Sequence, residues 1–214
     1  MIAVVHGRRS RKIAGTRGVS LLELMVVVAI IIVVAAIGGV SLFDTLQNSH
    51  VTNGYNMALM ALRRARETSI SERRIYIVTF NPTGSPAGTV TITNSNTGLV
   101  VYTGNLPTDV AFDAEPNIPG TVTATPDGLG VGAPSGAICF DVGVTASGTN
   151  AVYFYPDGSA RDANGILNSG VIYIAQPGKI LSSRAITVLG ATGRIRGWQI
   201  QQNASSSQYY WVSR

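Results

Sequence analysis

The sequence predicts an α+β protein. A long N-terminal helix, membrane-spanning in its first half and amphipathic in its second, packs on a β-rich head of two sheets. Three observations predict this. The run from Leu24 to Phe43 is apolar and uncharged, and an amphipathic repeat continues it to about Ser71. Beyond Arg74 helix-length periodicity disappears and turn residues recur at short intervals. The segments between those turns are rich in β-branched residues and several alternate in polarity, as half-buried strands do.

Residues 1–18 read as a basic leader. Arg8, Arg9, Arg11, Lys12 and Arg17 lie there with no acid among them, a bias that places this end on the cytoplasmic side of a membrane. The whole chain has 16 basic and 11 acidic residues; without the five basic ones of the leader it has 11 of each. The high pI therefore belongs to the leader and by itself says nothing about nucleic acid.

Residues 19–43 read as the membrane-length segment. Gly18 is followed by Val19-Ser20-Leu21-Leu22-Glu23, and no further charge occurs until Asp44. Leu24–Phe43 at about 1.5 Å per residue spans roughly 30 Å, the thickness of a bilayer's hydrocarbon core. A secretory signal has a shorter apolar core, of ~7–15 residues. A plain anchor leaves Glu23 unexplained, because a lone carboxylate at the head of such a segment is costly and marks a functional residue. Cleavage after Gly18 would put a new amine on Val19, four residues before Glu23. That is one helical turn, so the two charges can neutralise each other within a chain or between chains.

Residues 44–74 continue the helix. Val51, Tyr55, Leu59 and Leu62 fall at three- and four-residue spacing, with Arg63, Arg64 and Arg66 on the polar side. Gly54 is expected to be a weak point where the helix bends or locally unwinds. The helix is expected to end near Ser71, because Arg74–Phe80 has strand composition and Pro82 closes it.

The head, 75–200, offers further strands at Thr89–Thr93, Leu99–Tyr102, Ala137–Val142, Ala151–Tyr155, Val171–Ala175, Ala185–Leu189 and Arg194–Ile200. Pro156-Asp157-Gly158 is a turn signal: fixed φ, then a side chain that bonds its own backbone, then a permissive glycine. Two antiparallel sheets beside the helix would bury these strands. The tail, 201–214, is polar and then aromatic, and suits either a loose end or a final strand. Charge is polarised along the head: six acids and no Lys or Arg from Ile75 to Ala160, then six basic residues against Asp162 alone. Such an asymmetry steers an anionic partner or pairs within the fold.

Gly18 followed by VSLLELMVVVAIII resembles the class III signal of type IV pilins and pseudopilins, with Val19 where Phe or Met is usual. The C-terminal half narrows the resemblance to the GspH/FimT family, through Tyr153-Phe154-Tyr155-Pro156-Asp157-Gly158, Arg184-Ala185-Ile186-Thr187-Val188 and Gly193-Arg194-Ile195-Arg196. The resemblance implies cleavage between Gly18 and Val19 by a prepilin peptidase and methylation of the Val19 amine. It implies that Glu23 aligns subunits as they enter a filament. It also implies a single-pass protein of the bacterial inner membrane, cytoplasmic at its N-terminus, with a periplasmic head. Its partners would be other pilin or pseudopilin subunits and an inner-membrane assembly platform, with no cofactor, small-molecule substrate or catalysis. The role implied first is that of a minor pseudopilin supporting type II secretion or the tip and initiation of a type IV pilus.

The alternative is a FimT-like minor pilin that binds DNA without sequence preference during uptake. Gly193-Arg194-Ile195-Arg196 matches the GRxR pattern of that subgroup. Strand alternation would put Arg194 and Arg196 on one face with Ile195 inward. Lys179 and Arg184 add positive charge nearby in sequence, and Trp198 or the terminal aromatics suit stacking on bases. Contacts to phosphates would make such binding salt-sensitive. The same two arginines suit a solvated strand face, or pairing with the acidic middle of the head.

Other chemistries find little footing. Cys139 is the only cysteine, so no disulfide forms within the chain, and its apolar surroundings suggest a buried, inert thiol. His6 lies in the leader and His50 on the helix, which excludes a His-based triad or zinc site in the head. Asp157–Asn164 has closely spaced oxygen ligands but lacks the Gly and Glu placement of an EF-hand, and reads as a hairpin turn. Gly128-Leu129-Gly130-Val131-Gly132 has neither the Lys-Ser/Thr nor the spacing of a phosphate loop.

Overall fold

The computed structural model describes residues 19–83, 88–120, 124–129, 136–140 and 149–214, with backbone alone for 36–45. The leader with Gly18, and Asp141 and Val142 of one expected strand, lie outside the described residues. The chain divides into two units, Met1–Phe43 and Asp44–Arg214. Helix α1, Leu21–Glu72, begins in the first unit and continues into the second.

In the first unit α1 opens with the Leu24 N–H donating to the Ser20 carbonyl at 3.1 Å. Glu23 lies in the first turn, where a carboxylate complements the positive end of the helix dipole. Every side chain from Leu21 to Ala35 is exposed, on all sides of the helix. Among the described residues no helix is long and apolar enough to cross a membrane. The expected span, Leu24–Phe43, runs into 36–45, whose side chains lie outside the description.

In the second unit two five-stranded antiparallel sheets accompany the rest of α1. The first contains β1 (Tyr76–Asn81), β2 (Thr89–Asn94), β3 (Val100–Asn105), β5 (Ala151–Phe154) and β6 (Ala160–Arg161), in the order β3-β2-β1-β5-β6. The second contains β4 (Ile138–Phe140), β7 (Gly170–Ile174), β8 (Arg184–Leu189), β9 (Arg194–Gln202) and β10 (Tyr209–Ser213), in the order β10-β9-β8-β7-β4. The tail thus ends as a strand, pairing Tyr209 with Gln202 and Ser213 with Trp198. The two-residue strand β6 has no signature in the sequence, being too short to alternate.

The four apolar positions of the amphipathic repeat, Val51, Tyr55, Leu59 and Leu62, are all buried in one core with residues from both sheets. Phe80 of β1 anchors it, edge-on to Phe112 at 5.6 Å and stacked with Phe140 of β4 at 6.2 Å. A second cluster lies on the other face of the second sheet. There Val171, Tyr173, Ala185 and Ile200 are covered by Ile118, Ala114 and Leu129. Strand β7 is buried at every position because it is covered on both faces. Cys139 is partly buried against this second cluster rather than enclosed in the core.

α1 stays helical through Gly54, which serves packing rather than bending. A Cβ there would stand 2.8 Å from the Leu106 side chain. The helix runs one residue past the expected Ser71. It stops when Arg73 turns left-handed, at φ 53°, and the Arg74 N–H donates back to the Ser69 carbonyl at 3.2 Å. The Pro156-Asp157-Gly158 turn forms as its composition predicts. Gly158 has φ 79°, its N–H donates to Tyr155 at 2.8 Å, and the Asp157 carboxylate accepts the Ser159 N–H at 2.9 Å.

Candidate functional site

Strand β9 divides its side chains between the two cores. Ile195 packs on the helix-side core, and Gly197 lies so close to Tyr55 of α1 that a Cβ would meet the hydroxyl oxygen at 1.6 Å. Trp198 and Ile200 belong to the outer cluster, and by strand alternation Arg194 and Arg196 share that outer face. Thr187 of β8 pairs with Arg196 across the ladder.

Both arginines meet one carboxylate there. Asp127 Oδ1 accepts from Arg196 Nη1 at 2.9 Å and lies 3.5 Å from Arg194 Nη2. Its other oxygen accepts the Thr187 hydroxyl at 2.6 Å, and that hydroxyl in turn accepts from the Trp198 indole N–H at 3.0 Å. The Arg196 guanidinium also lies 5.6 Å from the centre of the Trp198 ring, within cation–π range. Asp127 belongs to the acidic middle of the head. The polarised charge of the sequence therefore closes on itself at this point.

The other two basic residues do not join the pair. Arg184 is buried on the helix face of β8, the opposite face of the sheet, and donates through Nη1 to the carbonyls of Ser182 at 3.0 Å and Ser183 at 3.2 Å. Burial lowers its pKa, the Arg214 charge lowers it further, and Tyr55 opposes the shift. Burial likewise raises the Tyr55 pKa, against the pull of Arg63, Arg214 and Arg184. Lys179 bonds the Gln47 side chain on α1. The aromatics are partly committed too: Trp198, Tyr209 and Trp211 pack on the outer cluster, while Tyr210 is 45% exposed.

A groove of about 560 Å³ lies where the β8–β9 turn meets α1, lined by Arg63, Arg66, Glu67, Thr192, Gly193 and Arg194 among others. Arg66 fixes its floor, donating to Gly158 at 3.2 Å and Thr192 at 3.1 Å. Sequence reasoning missed Asp127 and Arg66. Neither position shows a local signal, since each partner lies more than 60 residues away apart from Thr187, at 60.

The Asp157–Asn164 segment spends its oxygens internally. Asp157 pairs with Arg161 at 2.7 Å, and Asp162 accepts the N–H groups of Asn164 at 2.9 Å and Ile166 at 2.8 Å. Hydrogen bonds from Ser159 hold the Asp157 carboxyl below its ordinary range, and those from the 164–166 backbone do the same for Asp162, led by the Ile166 N–H.

Among solved structures the chain is similar to a type IV minor pilin. That protein is FimU of Pseudomonas aeruginosa, in two crystal forms. One shares 14% identity at a TM-score of 0.42, covering 80% of this chain and 94% of FimU. The other shares 15% at 0.41, covering 70% and 90%. No protein-family model matches the chain. A search of curated proteins gives no match.

Proposed function

We propose that this chain is a minor pilin or pseudopilin, a structural subunit of a type II secretion pseudopilus or of a type IV pilus tip or initiation complex. The observation that carries the reading is the start of α1: a helix apolar on all sides, with one carboxylate in its first turn. A helix hydrophobic all round requires lipid or other helices around it. Its β-branched composition, Val26-Val27-Val28 and Ile30-Ile31-Ile32-Val33-Val34, disfavours a helix in water. In lipid or a helix bundle the helix is retained because backbone groups must be satisfied within the segment.

In this reading the leader holds the N-terminus in the cytoplasm while Leu24–Phe43 spans the inner membrane. A prepilin peptidase cuts between Gly18 and Val19, and the Val19 amine is methylated. Glu23 then pairs with the Val19 amine of a neighbouring subunit. A carboxylate that finds its counter-charge only in the bundle favours transfer out of lipid. Replacing Glu23 by Ala should leave the chain in the membrane fraction but lower its share of the sheared filament or pseudopilus fraction at least tenfold. Normal incorporation of the variant would sink the reading.

A second reading, DNA binding during uptake, is favoured by one observation: Arg194 and Arg196 share a sheet face with the Trp198 ring. Guanidiniums for phosphates beside an aromatic for bases is the chemistry of non-specific single-strand binding. The Asp127 carboxylate between those arginines bears directly on it.

A further inference from the structure

Asp127 occupies an unusual position. It sits in a short 3-10 turn, Pro126–Gly128, yet its own backbone is left-handed at φ 53°. A non-glycine residue in that conformation is uncommon, with Asp and Asn the better tolerated exceptions. The turn directs the carboxylate at the second sheet, where two donors meet it, the Thr187 hydroxyl at 2.6 Å and Arg196 at 2.9 Å, and Arg194 forms an ion pair with it at 3.5 Å. The carboxylate side chain is 16% exposed, whereas the guanidinium side chains are 49% exposed at Arg194 and 38% at Arg196. Two half-exposed cations thus converge on one sheltered anion.

We propose that Asp127 is a resident anion, filling the place that an oxygen of an external phosphate group would take between Arg194 and Arg196. Guanidinium donors in this arrangement suit carboxylate and phosphate oxygens alike. A phosphodiester approaching from solvent therefore meets a pair already half neutralised, and must displace the carboxylate to gain both arginines. The fold holds this face in a low-affinity state, and whatever moves the 124–129 segment off the sheet unmasks it. The phosphodiester form of the ligand rests on the DNA-binding reading; the anion site itself rests on the distances above.

The test uses the full chain in non-ionic detergent, with two probes, inorganic phosphate and a short single-stranded DNA, across a salt series. The variants are Asp127→Asn, Asp162→Asn, Arg194→Gln/Arg196→Gln, and Asp127→Asn combined with both arginine changes. Asn suits the left-handed backbone and still accepts from Thr187, so Asp127→Asn removes charge without removing the turn. Asp162→Asn removes the same charge elsewhere. Asp127→Asn should bind either probe about fivefold tighter than the native chain, and the gain should vanish when both arginines are also changed.

Equal binding by Asp127→Asn and the native chain, or an equal gain from Asp162→Asn, overturns the proposal, provided tryptophan fluorescence shows each variant folded. Tighter phosphate binding without DNA binding supports the resident anion and removes the DNA reading. DNA binding that needs the arginines but ignores Asp127 does the reverse. No binding of either probe by any variant overturns both.

Discussion

Replacing Gly193 by Ala tests how the β8–β9 turn is joined to the rest of the head. Gly193 has φ 58°, and a Cβ there would stand 2.0 Å from the Gly158 carbonyl oxygen and 2.9 Å from Arg66 Nε. The left-handed backbone alone costs an alanine about 1–2 kcal/mol. The overlap adds a second penalty, because a backbone oxygen at that distance forces the turn at Thr192–Gly193 away from the turn at Gly158. Arg66 bonds both turns, at 3.2 and 3.1 Å, and cannot keep both bonds if they separate. A hydrogen bond from a charged group contributes about 1.5–3 kcal/mol, so with one such bond lost the total should be about 2.5–5 kcal/mol. Gly178→Ala is the matched comparison. Its φ is 81°, but nothing lies within 4 Å of the added Cβ, so only the backbone penalty of about 1–2 kcal/mol applies. Urea unfolding of the full chain in detergent, followed by the fluorescence of Trp198 and Trp211, measures both. A Gly193→Ala loss within about 0.5 kcal/mol of the Gly178→Ala loss would refute the close approach of the two turns; that margin is the ordinary scatter of surface substitutions.

Two further outcomes follow from the same geometry. Gly197→Ala should cost about 2–4 kcal/mol through its overlap with the Tyr55 hydroxyl, and Tyr55→Phe in the same chain should recover about 1 kcal/mol of it; strict additivity of the two changes would exclude the contact. The Asp157 turn should show acid sensitivity. Its carboxyl is held below the ordinary value of 3.8 by Ser159 and Arg161, so its stabilising effect is present above that pH and is lost as pH falls through the lower folded value. Because the side chain is 55% exposed, the effect is a few tenths of a kcal/mol. Comparing urea midpoints of Asp157→Asn and the native chain from pH 6 down to pH 3 checks the sign: the gap should shrink on acidification, and a gap that widens contradicts it.

Both side-chain repeats placed their residues on the faces they occupy. Helical spacing placed Val51, Tyr55, Leu59 and Leu62 on one face, and all four are in the core. Alternation placed Ile195 inward from Arg194 and Arg196, and Ile195 packs against that core. These are local properties, because the side-chain repeat of a helix or strand is fixed by its own backbone. Gly54 shows where local reasoning fails. In isolation a helical glycine weakens the helix, but here Leu106, from a distant segment, needs the space. The tail was ambiguous for the same reason. Its polar and aromatic residues form β10 only because β9 presents an edge to pair with.

By itself, the sequence determined the long helix and most strands of the head, where apolar faces lie along them, and that a single carboxylate heads an uncharged, membrane-length run. Tertiary structure alone decided what the charges do. Lys179, Arg184, Arg194 and Arg196 look like one basic group in the chain order. The second sheet instead puts Arg184 on one face and the other two arginines on the opposite face. It also brings Asp127, 67 positions before Arg194 and 69 before Arg196, between that pair. A charge acts through space rather than along the chain, so its partner is set by the fold and leaves no periodic trace in the sequence.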